Sequence, residues 1–506
     1  MNYSTTNKRP GLFSMLTNLV KQQIGERKLD SPLGYILLGL VALVLAFAIA
    51  KIDTLVGMLF IAGLLGGTLA FICLFNTKLG FYITVSLSFF AFYINRLISE
   101  NIPVGLGIDG LIALTFIGIY FRKTVQRQKY WQHSKNPIAA VYFLFMVFLV
   151  VELFNPSMDS IPGWVFAFRK FLNFVMIFYI SLHIFEDLAT VKEFIKLWLV
   201  LAFLAGAYGC FQEWHGLLGF EDRWVNRDPI RYKLYFQAGS MRKFSFLSDP
   251  TAYGMLMADA VIFALVLSMG SVTRKQRMLL LGISIPMALG MAFSGTRTAY
   301  AMLPAGVIFY VLMTITSKKT MAFAILSMMV FIVVLFGPFH NGTISRIRTT
   351  FLLSEDGSFN VRDVNRERIQ PYILRHPLGG GLSTSGVVGS QYNPGHTLAG
   401  FPPDSGYLKS ALETGWVGLF LTCFTYFVIL RTGIRNFYKS QSPEIKGIYA
   451  AILAALYGYI VAHYTQVAIG QIPGCFFFYS MLAALVKLIT FEKEQPNKKN
   501  LITVKL

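Results

Sequence analysis

Charge is what this sequence has least of. Only 14% of its 506 residues are Asp, Glu, Lys or Arg, while 55% are hydrophobic. Soluble domains carry about 25% charged residues, so a string of soluble domains is excluded. Cysteine is scarce as well. Cys73, Cys210, Cys423 and Cys475 all fall inside apolar runs with no metal-like spacing. They read as small buried hydrophobes, which sets aside a disulfide framework and a cysteine metal site. Acidic residues are outnumbered, 25 against 45 Lys and Arg, for a net charge of +20. In a soluble protein that balance would suggest nucleic acid. In a membrane protein Lys and Arg gather in cytoplasmic loops and near anionic lipid, so lipid, and no nucleic acid, is the expected partner.

What fills the chain is apolar sequence. Runs of roughly 17–22 residues recur along nearly its whole length, each long enough to cross about 30 Å of hydrocarbon. They are continuous and do not alternate, which excludes a transmembrane β-barrel. The expected fold is all-α: a polytopic membrane bundle of about fourteen transmembrane helices, with a long periplasmic loop that contains short helices. The spans are expected at 32–50, 55–75, 79–95, 103–121, 138–154, 163–185, 194–215, 252–270, 278–294, 299–316, 320–337, 412–430, 447–464 and 475–490. No internal repeat and no paired broken helices mark the two halves.

Short basic loops set the orientation. Arg122, Lys123, Arg127, Lys129 and Lys135 fall on the same side as Arg274, Lys275, Arg277, Lys318, Lys319, Arg431, Arg435, Lys439, Lys446 and the lysine-rich tail. Both termini are therefore expected in the cytoplasm. The chain divides into a tail at 1–31 with a candidate interfacial helix (GLFSMLTNLVKQQIG) and no visible cleavable signal, and transmembrane helices at 32–215. A smaller outer loop at 216–251 and central helices at 252–337 follow. A large outer loop occupies 338–411, with the last helices at 412–490 and a cytoplasmic tail at 491–506. Both outer loops are basic, against the charge bias. Long loops translocate regardless of charge, but outward cations need a reason, and an anionic ligand would supply one.

The cations between Phe339 and Pro403 are all arginine: Arg346, Arg348, Arg362, Arg366, Arg368 and Arg375. An arginine-only set suits planar, bidentate recognition of phosphate or carboxylate. Four constellations map to the outer side. In GSMRKFSFLSDPTAYG, Arg242 precedes a helix that Asp249 would cap with Pro250 in its first turn; an interfacial snorkelling arginine is the plainer alternative. In AFSGTRTAYAML, Arg297 sits in a tight turn among Ser294, Gly295, Thr296 and Thr298. That is either a phosphate cradle or a cap for the preceding helix. In NRERIQPYILRHPLGGGLSTSG, Arg366, Arg368 and Arg375 lead through His376-Pro377 into Gly379-Gly380-Gly381, whose backbone can approach a ligand or simply turn. In FPPDSGYLKSALETGWVG, Asp404 is an N-cap on residue type alone and, beside several arginines, a candidate general base.

Taken in order, these patterns resemble the O-antigen ligase and O-antigen polymerase superfamily of bacterial envelope glycosyltransferases. The parts that match are Arg242, SGTRTA, RHPLGGG and DSGYLKSALETGWVG, over roughly residues 200 to 430. The chain departs from the pattern where Thr298 replaces the usual glycine. It departs again where Asp404 stands at the position of a catalytic histidine, with His396 eight residues earlier as the alternative base. That second departure tips the reading from ligase towards polymerase. The resemblance implies a bacterial inner-membrane enzyme catalysing metal-independent, inverting glycosyl transfer with no cofactor. The donor would be a glycan on undecaprenyl pyrophosphate, and the acceptor lipid A core or a lipid-linked repeat unit. It places Arg242, Arg297, Arg366, Arg368 and Arg375 on the pyrophosphate, and Asp404 or His396 at the acceptor hydroxyl. The competing expectation is a transporter or flippase for lipid-linked sugars, with Asp109, Arg169, Lys170 and Asp259 as its sparse intramembrane charges. A purely structural protein or receptor would leave the outward arginines unexplained.

Overall fold

In the computed structural model, residues 32–51, 54–98, 103–127, 135–237, 239–338, 341–351 and 357–502 are described. The N-terminal tail expected at 1–31 lies outside them. The helices are α1 (Pro32–Lys51), α2 (Thr54–Phe75), α3 (Thr77–Ile98), α4 (Val104–Val125), α5 (Pro137–Val151), α6 (Ile161–Ile184) and α7 (Leu188–Trp214). Next come the short α8 (Gly219–Asn226) and α9 (Pro229–Tyr235), and the strands β1 (Phe236–Gln237) and β2 (Ser240–Met241), which pair antiparallel. Then follow α10 (Pro250–Met269), α11 (Arg274–Phe293), α12 (Arg297–Met313) and α13 (Lys318–Phe336). The large loop holds α14 (Gly342–Phe351), α15 (Gly357–Arg375) and α16 (Gly386–Tyr392). The chain closes with α17 (Gly406–Lys439), α18 (Pro443–Ala462) and α19 (Gly474–Ile502).

Among the described residues, eleven helices are long and apolar enough to cross a membrane. Three shorter apolar stretches, Gly39–Lys51, Phe60–Phe75 and Arg297–Met313, fall on α1, α2 and α12. Each of the fourteen expected spans thus lands on a helix, and the protein is a multi-pass helical membrane protein. Hydrocarbon offers no partner to the free amides of a helix start, and the sequence supplies them. Asn136, Ser160, Asp187, Asp249, Thr273, Ser405 and Ser442 each accept a hydrogen bond from a first-turn N–H. The expected Asp249 cap is present, with Pro250 next. At α17 the cap is Ser405 and not Asp404, and the helix starts at Gly406, ahead of the expected 412.

The chain forms two compact units, Met1–Phe81 with Gly110–His133, and Tyr82–Asp109 with Ser134–Leu506. In the first, small residues let backbones touch: a Cβ on Gly118 would lie 2.5 Å from the Leu74 carbonyl oxygen. In the second, α10 packs on α11, α12 and α18, α6 on α19, and α17 on α5 and α18. Burial reaches 83% for the apolar stretch of α10 and 78% for α18, against 11% for α13. The buried centre of this unit is therefore α10 and α18 together with α19, whose apolar stretch is also 83% buried, and α13 is peripheral.

The smaller loop has its own apolar centre of Val225, Tyr235 and Phe244, covered by Leu217, Trp224 and Met241. Arg96 from α3 pins it down. Its guanidinium bonds the Ser245 and Leu247 carbonyls, lies 3.6 Å from the Glu221 carboxylate, and stacks 4.7 Å from the Phe244 ring centre.

Candidate active site

The turn between α11 and α12 is held by Arg242. Its Nε donates to the Ser294 carbonyl at 2.9 Å and its Nη1 to the Leu234 carbonyl at 3.3 Å. Its Nη2 reaches the hydroxyls of Thr296 at 3.0 Å and Thr251 at 3.4 Å. Thr296 passes the connection on to the Pro250 carbonyl, at 2.9 Å. One buried guanidinium thus ties the β2 edge, the 294–296 turn and the start of α10 together, a firmer role than interfacial snorkelling.

Against this turn lies Arg346 of α14. Gly295 is left-handed, with φ at 60°, and a Cβ there would lie 2.2 Å from Arg346 Nη1. Glycine is needed for both reasons. Arg346 Nη2 is buried and has no hydrogen-bond partner among the described residues. Burial lowers the pKa of both Arg242 and Arg346, and for Arg242 the neighbouring Arg346 is the next cause. Neither forms an ion pair among the described residues. Two adjacent guanidinium groups, one with a buried unpartnered donor, make a site for an anion. Arg297 opens α12 beside them and is half-buried. Arg348, two residues along, is committed elsewhere: its donors cap α13 through the Val334 and Gly337 carbonyls.

A second feature gathers the remaining candidates. Four residues after α18, His463 to Gln466, form a polar turn that three elements grip. Thr298, next to Arg297, bonds the Thr465 hydroxyl at 2.8 Å. Arg366 from α15 donates to the Tyr464 hydroxyl at 3.1 Å and lies 4.7 Å above its ring. Ser405 and Gly406, next to Asp404, bond the His463 carbonyl at 3.3 and 2.9 Å. Arg366 thereby reaches this turn, and the backbone next to Arg297 and Asp404 is anchored to it. Asp404 is half-buried and makes no hydrogen bond or ion pair among the described residues. Burial, then Lys409, pushes the His463 imidazole down to about 4, so the ring is neutral at physiological pH.

Arg368 and Arg375 are exposed. On a helix of 3.6 residues per turn they stand about 200° and about 180° from Arg366. They share a face opposite to it, so Arg366, Arg368 and Arg375 do not converge on one phosphate. The inner face of α15 instead packs Ile369, Tyr372 and Ile373 against Leu398, Leu408 and Leu412.

The glycine triplet binds protein, not open space. The Gly380 and Gly381 amides donate to the Leu412 and Glu413 carbonyls at 2.8 and 2.9 Å, and the Trp416 amide to Pro377 at 2.8 Å. These bonds brace α17 where Gly415, at φ 61° and ψ −158°, breaks it. A Cβ on Gly415 would lie 1.9 Å from the Pro377 oxygen, and one on Gly379 2.6 Å from the Glu413 carbonyl carbon. RHPLGGG and ETGWVG are two halves of one backbone brace.

His396 sits on the outer side of that brace, near Gly380 and Tyr372. Its Nδ1 accepts from the Leu398 amide at 3.1 Å, so in the neutral ring Nε2 carries the proton. Burial holds this imidazole below its ordinary value, opposed by Asp159 and helped by His376. A neutral ring whose free lone pair already serves the backbone is badly placed to accept another proton.

Behind Gly406 and His463 a cavity of about 420 Å³ runs into the bundle between α5, α6 and α17. Aromatic walls (Phe166, Phe171, Tyr426) face a polar set of Lys170, Lys409, Ser410 and Glu413. Glu413 is buried and accepts from the Ser385 hydroxyl at 2.5 Å, with Lys409 Nζ at 3.9 Å. Among the described residues no three His, Cys, Asp or Glu side chains are grouped to hold a metal. The sequence reading missed this cavity and the 463–466 turn, and it left Arg346 undistinguished from the other loop arginines. The available signal was a polar AHYTQ interruption at the end of an apolar run.

Residues 282–423 match the family model for O-antigen ligase. The match covers that stretch alone, and over it the chain is similar to O-antigen ligase. The stretch contains Arg297, Arg346, Arg366, Arg368, Arg375, His396 and Asp404, while Arg242 and the 463–466 turn lie outside it. No curated protein matches the chain.

Proposed function

We propose that the protein is a membrane glycosyltransferase of the O-antigen ligase/polymerase type, acting at the outer face of the bacterial inner membrane with both termini in the cytoplasm. It moves a glycan from undecaprenyl pyrophosphate to an acceptor hydroxyl, in lipopolysaccharide or exopolysaccharide synthesis. The observation that carries this reading is the Arg242–Arg346 pair on Gly295, with its buried unpartnered donor and no ion pair among the described residues. The pyrophosphate docks there, with Arg297 and Arg366 completing the set. Arg242 acts chiefly by holding the turn, and Arg368 and Arg375 act from a distance as attracting charge.

In the reaction, the Asp404 carboxylate takes the proton of the acceptor hydroxyl. The acceptor oxygen attacks the anomeric carbon from the face opposite the phosphate, the bond from that carbon to the phosphate oxygen breaks, and undecaprenyl pyrophosphate leaves as the anion. Configuration inverts. The arginines neutralise the developing charge, the task a divalent metal performs elsewhere. The free position of Asp404 favours it over His396 as base. The aromatic and polar cavity beside it suits the acceptor sugar. Asp404 in place of a histidine favours polymerase over ligase.

The test is a gel profile of surface glycan from a deletion strain complemented with wild type, Asp404→Asn or His396→Gln. Asp404→Asn should behave as the deletion and His396→Gln should retain transfer. Single repeat units on the acceptor mark a polymerase, and full-length glycan held on the carrier marks a ligase. Transport is the second reading, because Lys170 lines a cavity inside the bundle beside the Asp109–Arg169 pair, which is 3.2 Å apart. Repeat units trapped on the inner face would favour it and sink the enzyme.

A further inference from the structure

At the opposite end of the same unit lies a second cavity, of about 530 Å³. Its charged lining is Arg277, Lys319 and Lys446, and no carboxylate lines it among the described residues. The nearest acid in sequence, Glu444, is turned to Lys192 at 2.5 Å. Arg277 is fixed at the rim by its Nε bond to the Ser268 carbonyl, at 3.0 Å. Glycosyl transfer uses none of these residues, so a failure of the transfer reading would leave the role of this cavity untouched.

The backbone adds to the charge. Helices α11, α13 and α18 all start at this cavity, bringing three positive dipole ends together. The caps of α11 and α18 are filled by Thr273 and Ser442. The α13 start is different. Its cap residue Ser317 makes no side-chain cap bond, and Ser317, Lys319 and Thr320 all line the cavity. The floor carries no side chain at its closest point, because Gly270 and Gly447 meet backbone to backbone. A Cβ on Gly270 would lie 3.1 Å from the Gly447 Cα. Close in sequence to the lining residues, Leu312, Ile315 and Met321 are exposed and apolar, the surface a membrane protein presents to acyl chains.

Lys and Arg at this end would follow from topology alone, and topology would leave them scattered. Here three cations, an open helix start and a glycine floor enclose one concave space with no internal counterion among the described residues. We propose that this cavity binds a phosphate group, a phospholipid headgroup or a free phosphate, between the ends of α10, α11, α13 and α18. It is a phosphate site distinct from the arginine site at the other end of the bundle.

The full chain in detergent is titrated with phosphatidylglycerol, phosphatidylcholine or inorganic phosphate while its melting temperature is followed. Wild type should be stabilised saturably by phosphatidylglycerol and unmoved by phosphatidylcholine. The double variant Lys319→Gln/Lys446→Gln should raise the half-saturating amount about 30-fold, at roughly one such charge contribution per lysine. Lys319→Arg/Lys446→Arg should restore it. Arg274→Gln/Lys275→Gln removes the same charge from residues that do not line the cavity and should leave the titration unchanged. If inorganic phosphate saturates the shift and displaces the lipid effect, the site takes free phosphate; if phosphatidylglycerol alone acts, it takes lipid. No saturable shift in wild type, or equal loss in both double variants, overturns the proposal.

Discussion

In the loop between α7 and α10, Arg231 and Arg242 are turned onto protein acceptors, whereas between α13 and α17 Arg346 keeps a buried donor without a partner among the described residues. Arg242 has four acceptors, Arg231 bonds the Trp224 carbonyl and covers its ring at 4.0 Å, and Arg96 from α3 is sealed under the same loop. Across the site, Arg348 is occupied in capping a helix and Arg366 holds Tyr464, while Arg346 keeps a buried donor without a partner among the described residues. Composition cannot separate the two loops, since both are basic. What separates them is the supply of acceptors. The smaller loop has an apolar centre and free carbonyls that absorb its cations, and thereby becomes a rigid wall. The larger loop puts its cations beside backbone already bonded to itself, which leaves donors over for a ligand.

That contrast is open to direct attack. The largest effect should come from the sealed side. Glu221→Ala leaves Arg96 buried without its carboxylate and also removes the acceptor of the Gln212 amide, at 2.9 Å. Breaking a buried pair from one side costs about 3–5 kcal/mol. The variant should show a strongly lowered melting temperature and poor yield in the membrane fraction, and a normal melting curve would mean the loop is not held from below. Arg346→Ala should do the reverse. It should fold normally and lose about 100- to 1,000-fold in transfer rate, the usual cost of removing one donor from a developing anion. A fall in stability with the rate per folded molecule unchanged would place Arg346 with Arg242, as a structural clasp.

The sequence carried the bundle and its local punctuation well. Fourteen apolar helices, eleven of them among the described residues long and apolar enough to cross a membrane, and the Asp249-Pro250 helix start all follow from runs and caps that are local in the chain. The site is a different kind of object. Arg242 meets Ser294 across 52 residues, Ser405 meets His463 across 58, and Arg366 meets Tyr464 across 98. No local pattern encodes such pairings. The same holds for the glycine triplet, which looks like a ligand loop until Gly415 is seen to break α17 against it. Asp404 shows the opposite error. Its residue type suits a helix cap, but Ser405 takes that position and leaves the carboxylate unengaged among the described residues.

The smallest effect should come from the outer face of α15, where Arg368 and Arg375 are exposed on the side away from Arg366. Replacing either by Ala removes a solvated charge, for which stability changes stay within about 0.5 kcal/mol. Screening limits their reach, since exposed charges act over about 8 Å at physiological ionic strength. Their contribution should therefore appear in capture of the lipid-linked donor. The double variant Arg368→Ala/Arg375→Ala should raise the apparent KM for donor by about two- to fivefold at low salt, with the maximal rate unchanged, and the difference should vanish as salt is raised. A fall in maximal rate that salt does not remove would mean that α15 turns this face to the pyrophosphate during turnover. The division of its arginines by helical geometry would then fail.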